Sequence, residues 1–322
     1  MFEHISVLKQ ELKQMLKVES TDIVVDATLG GGGHAAEFMP PLHSARLIGI
    51  DRDQVAIASC GKRFEEVIAK GHFLLVHAPF SQIDQILTSL ALQPNVIYAD
   101  LGVSSPQLDT PERGFSMRFA GPLDMRMDQS ANMPTAKDIL AMYSIEDLTR
   151  IFFEYGEEPK AKYYARAIDK RRAERAFEDT KEFADFLQSV NPYRSASKKH
   201  PGTKIFQALR IEVNQELAQI EEFLKASYRH LAVGGRMGVI TFHSLEDRLV
   251  KNFFQSVGKS KSDPAMRHLP MRDIDVQKPP ATISRPFPCV PTDLECQQNP
   301  RARSAKLRVL VKQQEGSLPW KS

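Results

Sequence analysis

The chain has 322 residues, 42% hydrophobic and 26% charged, with a formal net charge of only +3. That balance excludes a disordered or fibrous chain, and it excludes an overall basic field strong enough to hold nucleic acid without local patches. Cys60, Cys289 and Cys296 are scattered, odd in number and in no Cys-x-x-Cys pair, which argues against a disulfide framework and against a structural zinc, so no metal is expected.

The first strand is expected at 23–28, where Ile23-Val24-Val25 runs into Asp26. Four glycines, Gly30 to Gly33, follow at once, and His34-Ala35-Ala36 opens a helical stretch. A second strand at 46–51 ends in Asp51. Strand, glycine loop, helix, strand and terminal acid form the grammar of a nucleotide-type cofactor site, with the acid placed for ribose hydroxyls. Gly30-x-Gly32-x-x-Ala35 satisfies the dinucleotide pattern formally, but two features favour S-adenosylmethionine. Asp26 closes the first strand where a carboxylate can meet a cationic or amino group. The contiguous glycines leave an open loop rather than a phosphate cradle, and S-adenosylmethionine has no phosphate.

Helical patterns at 54–69 and 81–91 separate further strands at 73–77 and 95–100. Strands alternating with helices predict a doubly wound α/β sheet. The fifth strand, 236–242, comes only after about 130 more residues, too long a gap for a loop, so an inserted unit is required. Its helices are expected at 136–153, 157–176 and 180–190, the last with Thr180 as cap, and one long helix from about 204 to 230 returns the chain to the sheet. Residues 258–304 show little periodicity and are expected as loop, before a last strand at 306–312.

Ligands in such sheets sit at the carboxyl ends of the strands beside the topological switch, here strands one and four. Asp100-Leu101-Gly102-Val103-Ser104-Ser105-Pro106-Gln107 therefore faces the transfer site, and Ser104-Ser105-Pro106 resembles the Ser-Pro loop of enzymes that methylate exocyclic amines. Such an amine is a poor nucleophile, because its lone pair is delocalised into the ring. Acceptors on its two hydrogens draw the nitrogen toward tetrahedral geometry, after which positioning does most of the work. A turn or helix cap is the plainer reading of the same serines. Arg113, Arg126 and His243 lie in two further unusual stretches that read as substrate-side walls, with a loop held by internal ion pairs and a buried imidazole as the alternatives. Two acid-free basic runs, one with Lys198, Lys199 and Lys204 and one with Arg301 and Arg303, suit a phosphate-rich partner.

Several long stretches together carry a family resemblance: Asp26-x-Thr28-x-Gly30-x-Gly32-Gly33-His34, Asp51-Arg52-Asp53, Asp100 through Asp109, Glu112 through Ser116, Pro122 through Asp128, Phe206 through Ile211, Phe242 through Arg248 and Asn299 through Ser304. They run nearly end to end, and the chain resembles the MraW (RsmH) family of bacterial 16S rRNA cytosine-N4 methyltransferases. The resemblance implies a class I, Rossmann-like methyltransferase domain over 1–108 and 209–322 with a helical substrate-recognition domain inserted at 109–208. It implies methyl transfer from S-adenosylmethionine to the exocyclic amine of a cytidine in the decoding region, by a cytoplasmic enzyme with 16S rRNA as partner and no membrane contact. No obligate protein partner is implied, and a homodimer is compatible with it. Cofactor contacts carried over by motif are Gly32, Gly33, His34, Asp51, Phe80, Asp100 and Gln107, with Asp100, Ser104, Ser105 and His243 at the transfer site. Two positions depart from the family pattern: Ala120 stands where an acid is usual, and Lys204 where an arginine is. The competing readings are a non-catalytic RNA-binding assembly factor with a vestigial fold, and a nicotinamide-dependent oxidoreductase.

Overall fold

The computed structural model describes residues 6–39, 46–193, 200–258 and 279–315. Among the described residues, seven strands form one sheet: β1 (Ile23–Asp26), β2 (Arg46–Asp51), β3 (Phe73–His77), β4 (Val96–Asp100), β5 (Arg236–Thr241), β6 (Ala281–Ile283) and β7 (Lys306–Lys312), in the order β3-β2-β1-β4-β5-β7-β6. The first five are parallel, and β7 runs antiparallel to β5 and β6. This is the doubly wound α/β arrangement expected from the alternation of strands and helices, and it agrees with the class I domain that the family resemblance implies.

The inner strands are apolar on both faces, as a parallel sheet covered on both sides requires. Alternation assigns successive residues to opposite layers. Val25, Ile48, Ile97 and Val239 pack with Ile83, Leu87, Phe223 and Phe254 on one side. Val24, Leu47, Val96 and Ile240 pack with Leu12, Leu16, Phe38 and Cys60 on the other. No helix among the described residues is long and apolar enough to cross a membrane.

The chain divides into two compact units, one of Met1–Gly102 with Leu217–Ser322 and the other of Val103–Glu216. The second unit is helical, and its own core gathers Leu148, Ile151, Phe152, Tyr164, Ile168, Phe183, Leu187, Phe206 and Leu209.

Several expected elements differ in detail. The long helix of 204–230 is two, Thr203–Asn214 and Glu216–His230, broken where Gln215 takes φ +50°. Asn214 explains the break. Its fully buried side chain accepts from the Met127 amide at 2.8 Å and donates to the Met125 carbonyl at 2.8 Å, while Arg210 forks onto Glu216 at 2.8 Å beyond the junction. The helix at 180–189 is capped by Asp179, which accepts from the Glu182 amide at 2.8 Å. Thr180 is its first residue and donates to the Phe119 carbonyl instead. Within the expected loop of 258–304, the edge strand β6 and the helix Asp293–Gln298 are present, although 259–278 lies outside the described residues.

Candidate active site

β1 and β4 lie side by side at the switch, so their terminal acids, Asp26 and Asp100, end on the same edge of the sheet. Asp26 is only 1% exposed. It accepts from the Tyr98 hydroxyl at 2.8 Å and from the Thr28 amide at 3.1 Å. Burial pushes its carboxyl up to about 7, against the hydrogen bond from Tyr98 and the charge of His34. Its sequence position suggests contact with a cationic ligand group, but both oxygens are engaged inside the protein. Asp26 therefore anchors the start of the glycine loop. Thr28 extends this chain of contacts, its hydroxyl accepting the Asp100 amide at 2.6 Å.

The loop itself is fixed by backbone contacts. Gly32 has φ +72°, and a Cβ there would lie 2.5 Å from the Phe64 ring and 3.1 Å from Cys60 Sγ. Gly33 is closed off by Ser6, whose Oγ would stand 2.1 Å from an added Cβ. Gly31 is different: a Cβ there meets nothing within 4 Å. Arg63 donates to the Gly31 carbonyl at 2.6 Å and Cys60 to the Gly30 carbonyl at 3.3 Å, so the loop is pinned from below and open above.

Asp51, at the end of β2, accepts from the Gly30 amide at 2.7 Å through one oxygen and from the Asp53 amide at 2.8 Å through the other. Burial raises its carboxyl to about 6, against those two amides. Each oxygen keeps a second lone pair for a hydroxyl donor. Phe80 follows β3 in a 3-10 turn, half-buried, its ring edge-on to Phe223 at 5.4 Å.

His34 is buried in the first turn of the helix Gly33–Phe38, with Nε2 3.4 Å from Asp100 Oδ2. Burial disfavours its imidazolium, but the Asp100 carboxylate and then the charge of Asp26 outweigh that and lift its pKa above the ordinary value. Asp100 Oδ1 is buried without a protein partner. An orphaned carboxylate oxygen, an acid with spare acceptors and an open glycine backbone fit a ligand bearing an ammonium group and ribose hydroxyls. They do not form a phosphate cradle.

His243 caps the helix Ser244–Val257 with Nε2 3.1 Å from the buried Glu246, whose other oxygen accepts the Phe242 amide at 2.8 Å. In the helical unit, Ser104 and Gln107 form a reciprocal capping box at the start of the helix Ser105–Asp109. The Gln107 side chain accepts the Ser104 amide at 2.9 Å, so the helix-cap alternative is realised. The Ser105 side chain lies outside the described residues.

Two arginines expected against RNA turn inward. Arg113 is 7% exposed and donates to the Met127 carbonyl at 2.6 Å. Arg126 forks onto Asp124 at 2.8 and 3.0 Å and donates to the Ala131 carbonyl at 2.9 Å. Internal contacts of the Asp-Met-Arg loop thus use both. Lys204 donates to the Glu157 carbonyl at 2.7 Å, while Arg301 and Arg303 stand exposed on a 3-10 turn. Lys198 and Lys199 lie outside the described residues. Thr28 stands in the quoted glycine-loop motif without an assigned role, while Tyr98 and Arg63 were not expected at the site. No motif spacing marks those two, since each acts through a contact made only by the folded chain.

The model of the MraW methylase family matches residues 1–313. The Ribosomal RNA small subunit methyltransferase H of Magnetococcus marinus is 43% identical over 315 residues, 97% of this chain and 99% of that protein. That of Carboxydothermus hydrogenoformans is 42% identical over 314 residues, 97% of this chain and 98% of that protein.

Proposed function

The chain belongs to the MraW methylase family, and on that footing we propose that it methylates the exocyclic N4 amine of a cytidine in the decoding region of 16S rRNA, in the cytoplasm. The observation that carries this reading is the open glycine backbone flanked by Asp51 and by the unpartnered Asp100 oxygen. S-adenosylmethionine, when bound there, supplies a methyl group activated by its sulfonium.

The chain's own residues do the rest. Asp51 accepts from the ribose hydroxyls. The Gly32-Gly33-His34 backbone receives the methionine end, and Phe80 flanks the adenine. Asp100 accepts a hydrogen of the target amine and turns its lone pair toward the methyl carbon. Holding the attacking nitrogen in line is worth several orders of magnitude in rate. The product amine releases its proton readily, so no strong base is needed at the site. His34 keeps Asp100 oriented, and His243 contacts the substrate side. Arg301 and Arg303, with Lys198, Lys199 and Lys204, hold phosphates.

The test uses small ribosomal subunits lacking the modification and cofactor labelled in its methyl group. Wild type is expected to label the 16S rRNA. Asp51→Ala is expected to need a far higher cofactor concentration, and Asp100→Asn both to weaken cofactor binding and to slow transfer. No label with wild type would overturn the reading.

A further inference from the structure

The helix Ala161–Glu174 of the helical unit buries Ala161, Tyr164, Ala165 and Ile168. Its opposite face carries Lys162, Arg166 and Lys170, all exposed. Their spacing of four residues places them in one row along the helix, about 6 Å apart by the helical rise.

The row lies along one helix face and lacks partners. Several other exposed cations of this unit are matched, although Arg118 and Lys160, outside the row, also have no side-chain ion pair among the described residues. Lys137 meets Glu178 at 2.9 Å, Arg150 lies 3.7 Å from Glu154, and Lys181 pairs with Asp185. On the same helix, Arg171 meets Glu182 and Arg172 meets Asp169, both at 2.7 Å. Lys162, Arg166 and Lys170 have no ion pair or hydrogen bond from their side chains among the described residues. Asp169 is already taken by Arg172, and Glu174 stands only at the end of the row. A merely solvated helix face usually interleaves signs and gains from pairs four residues apart. Three like charges in succession repel one another, and an external anion relieves that repulsion.

Tyr163 adds an aromatic surface beside the row. It is 47% exposed, and its ring is held edge-on by the buried Tyr164 at 5.9 Å. A fixed, exposed ring beside a line of free cations is the combination that single-stranded nucleic acid uses, with cations on phosphates and the ring on a base.

We infer that the Lys162-Arg166-Lys170 row with Tyr163 is a docking surface for the RNA strand, contacting successive phosphates and stacking one unpaired base. The inference names a contact surface for the substrate class of the proposed function and rests on that reading. The row supplies sequence-independent affinity.

The experiment compares wild type, the triple variant Lys162→Gln/Arg166→Gln/Lys170→Gln and Tyr163→Ala. Each is titrated with unmodified small subunits and with a short single-stranded RNA over a range of salt concentrations, and separately with S-adenosylmethionine. All four positions are exposed, and unchanged cofactor affinity reports an intact fold. Losing three phosphate contacts is expected to lower the slope of log affinity against log salt by about 2 and to weaken RNA binding about 100-fold at low salt. In methylation assays KM for the subunit rises while kcat holds. Tyr163→Ala is expected to weaken RNA binding about tenfold or more with the salt slope unchanged. Unchanged RNA affinity and salt slope in the triple variant would overturn the docking surface, even if wild type methylates normally. RNA binding lost in the variant, with no methyl transfer by wild type, would uphold the surface and overturn the catalytic reading.

Discussion

The glycine loop shows how single residues divide into those that shape the site and those that leave room for a ligand. Gly32 is required by its left-handed φ and by the Phe64 ring beneath it. Gly32→Ala is expected to lower stability by about 1–3 kcal/mol through strain and overpacking, measured by denaturant unfolding. Gly31→Ala has open space for its methyl group. It should fold like wild type yet bind cofactor more weakly, since the proposed function puts the ligand in that space; equal losses from both changes would contradict this division. Asp26 makes a second test. Its carboxyl is raised from 3.8 to about 7 by burial, so the folded state keeps a proton that the unfolded state has lost. That contribution is full below about 4 and fades as pH rises through about 7. Against Asp26→Asn, which cannot ionise, wild type should therefore lose stability by roughly 1.4 kcal/mol per pH unit across that window. A difference that stays flat with pH would mean that Asp26 ionises freely.

At the scale of elements, one buried ion pair ties the helix Ser244–Val257 to β7, the strand beside the sheet's edge. Asp247, in the helix Ser244–Val257, accepts from Arg308 of β7 at 2.8 and 3.1 Å and from Lys306 at 3.1 Å. Burial alone would raise its carboxyl, but the two cations hold it below the ordinary range. Its stabilisation is present at neutral pH and is lost on acidification. Asp247→Ala leaves Arg308 charged and 3% exposed, and is expected to cost about 3–5 kcal/mol by denaturant unfolding. Asn214→Ala, which strands the Met125 carbonyl and the Met127 amide in the helical unit, should cost about 1–3 kcal/mol.

The same elements mark how far the sequence could be read. The parallel strands were legible because both faces are apolar and each strand ends in a turn or an acid. The three-residue β6 was not, since Ala281-Thr282-Ile283 is too short for an alternating pattern and follows two prolines. The break at Gln215 carries no glycine or proline, and its cause is a buried amide 87 residues from its partner in sequence. The glycine loop and Asp51 could be found from spacing alone. The inward turn of Arg113 and Arg126 could not, because a charged side chain in a loop reads the same whether it meets solvent or a backbone carbonyl.

For the whole molecule, a net charge of +3 leaves RNA affinity to local surfaces, so binding should fall steeply with salt while cofactor affinity changes little. The central claim is that a pocket of open backbone and acids delivers a methyl group to one amine of the small-subunit RNA. The most direct measurement is mass mapping of 16S rRNA from unmodified subunits incubated with the purified protein and labelled cofactor. A single added methyl is expected, on N4 of one decoding-region cytidine, appearing far more slowly when Asp100→Asn replaces wild type. A methyl on a ring carbon, a ribose or another base would contradict it.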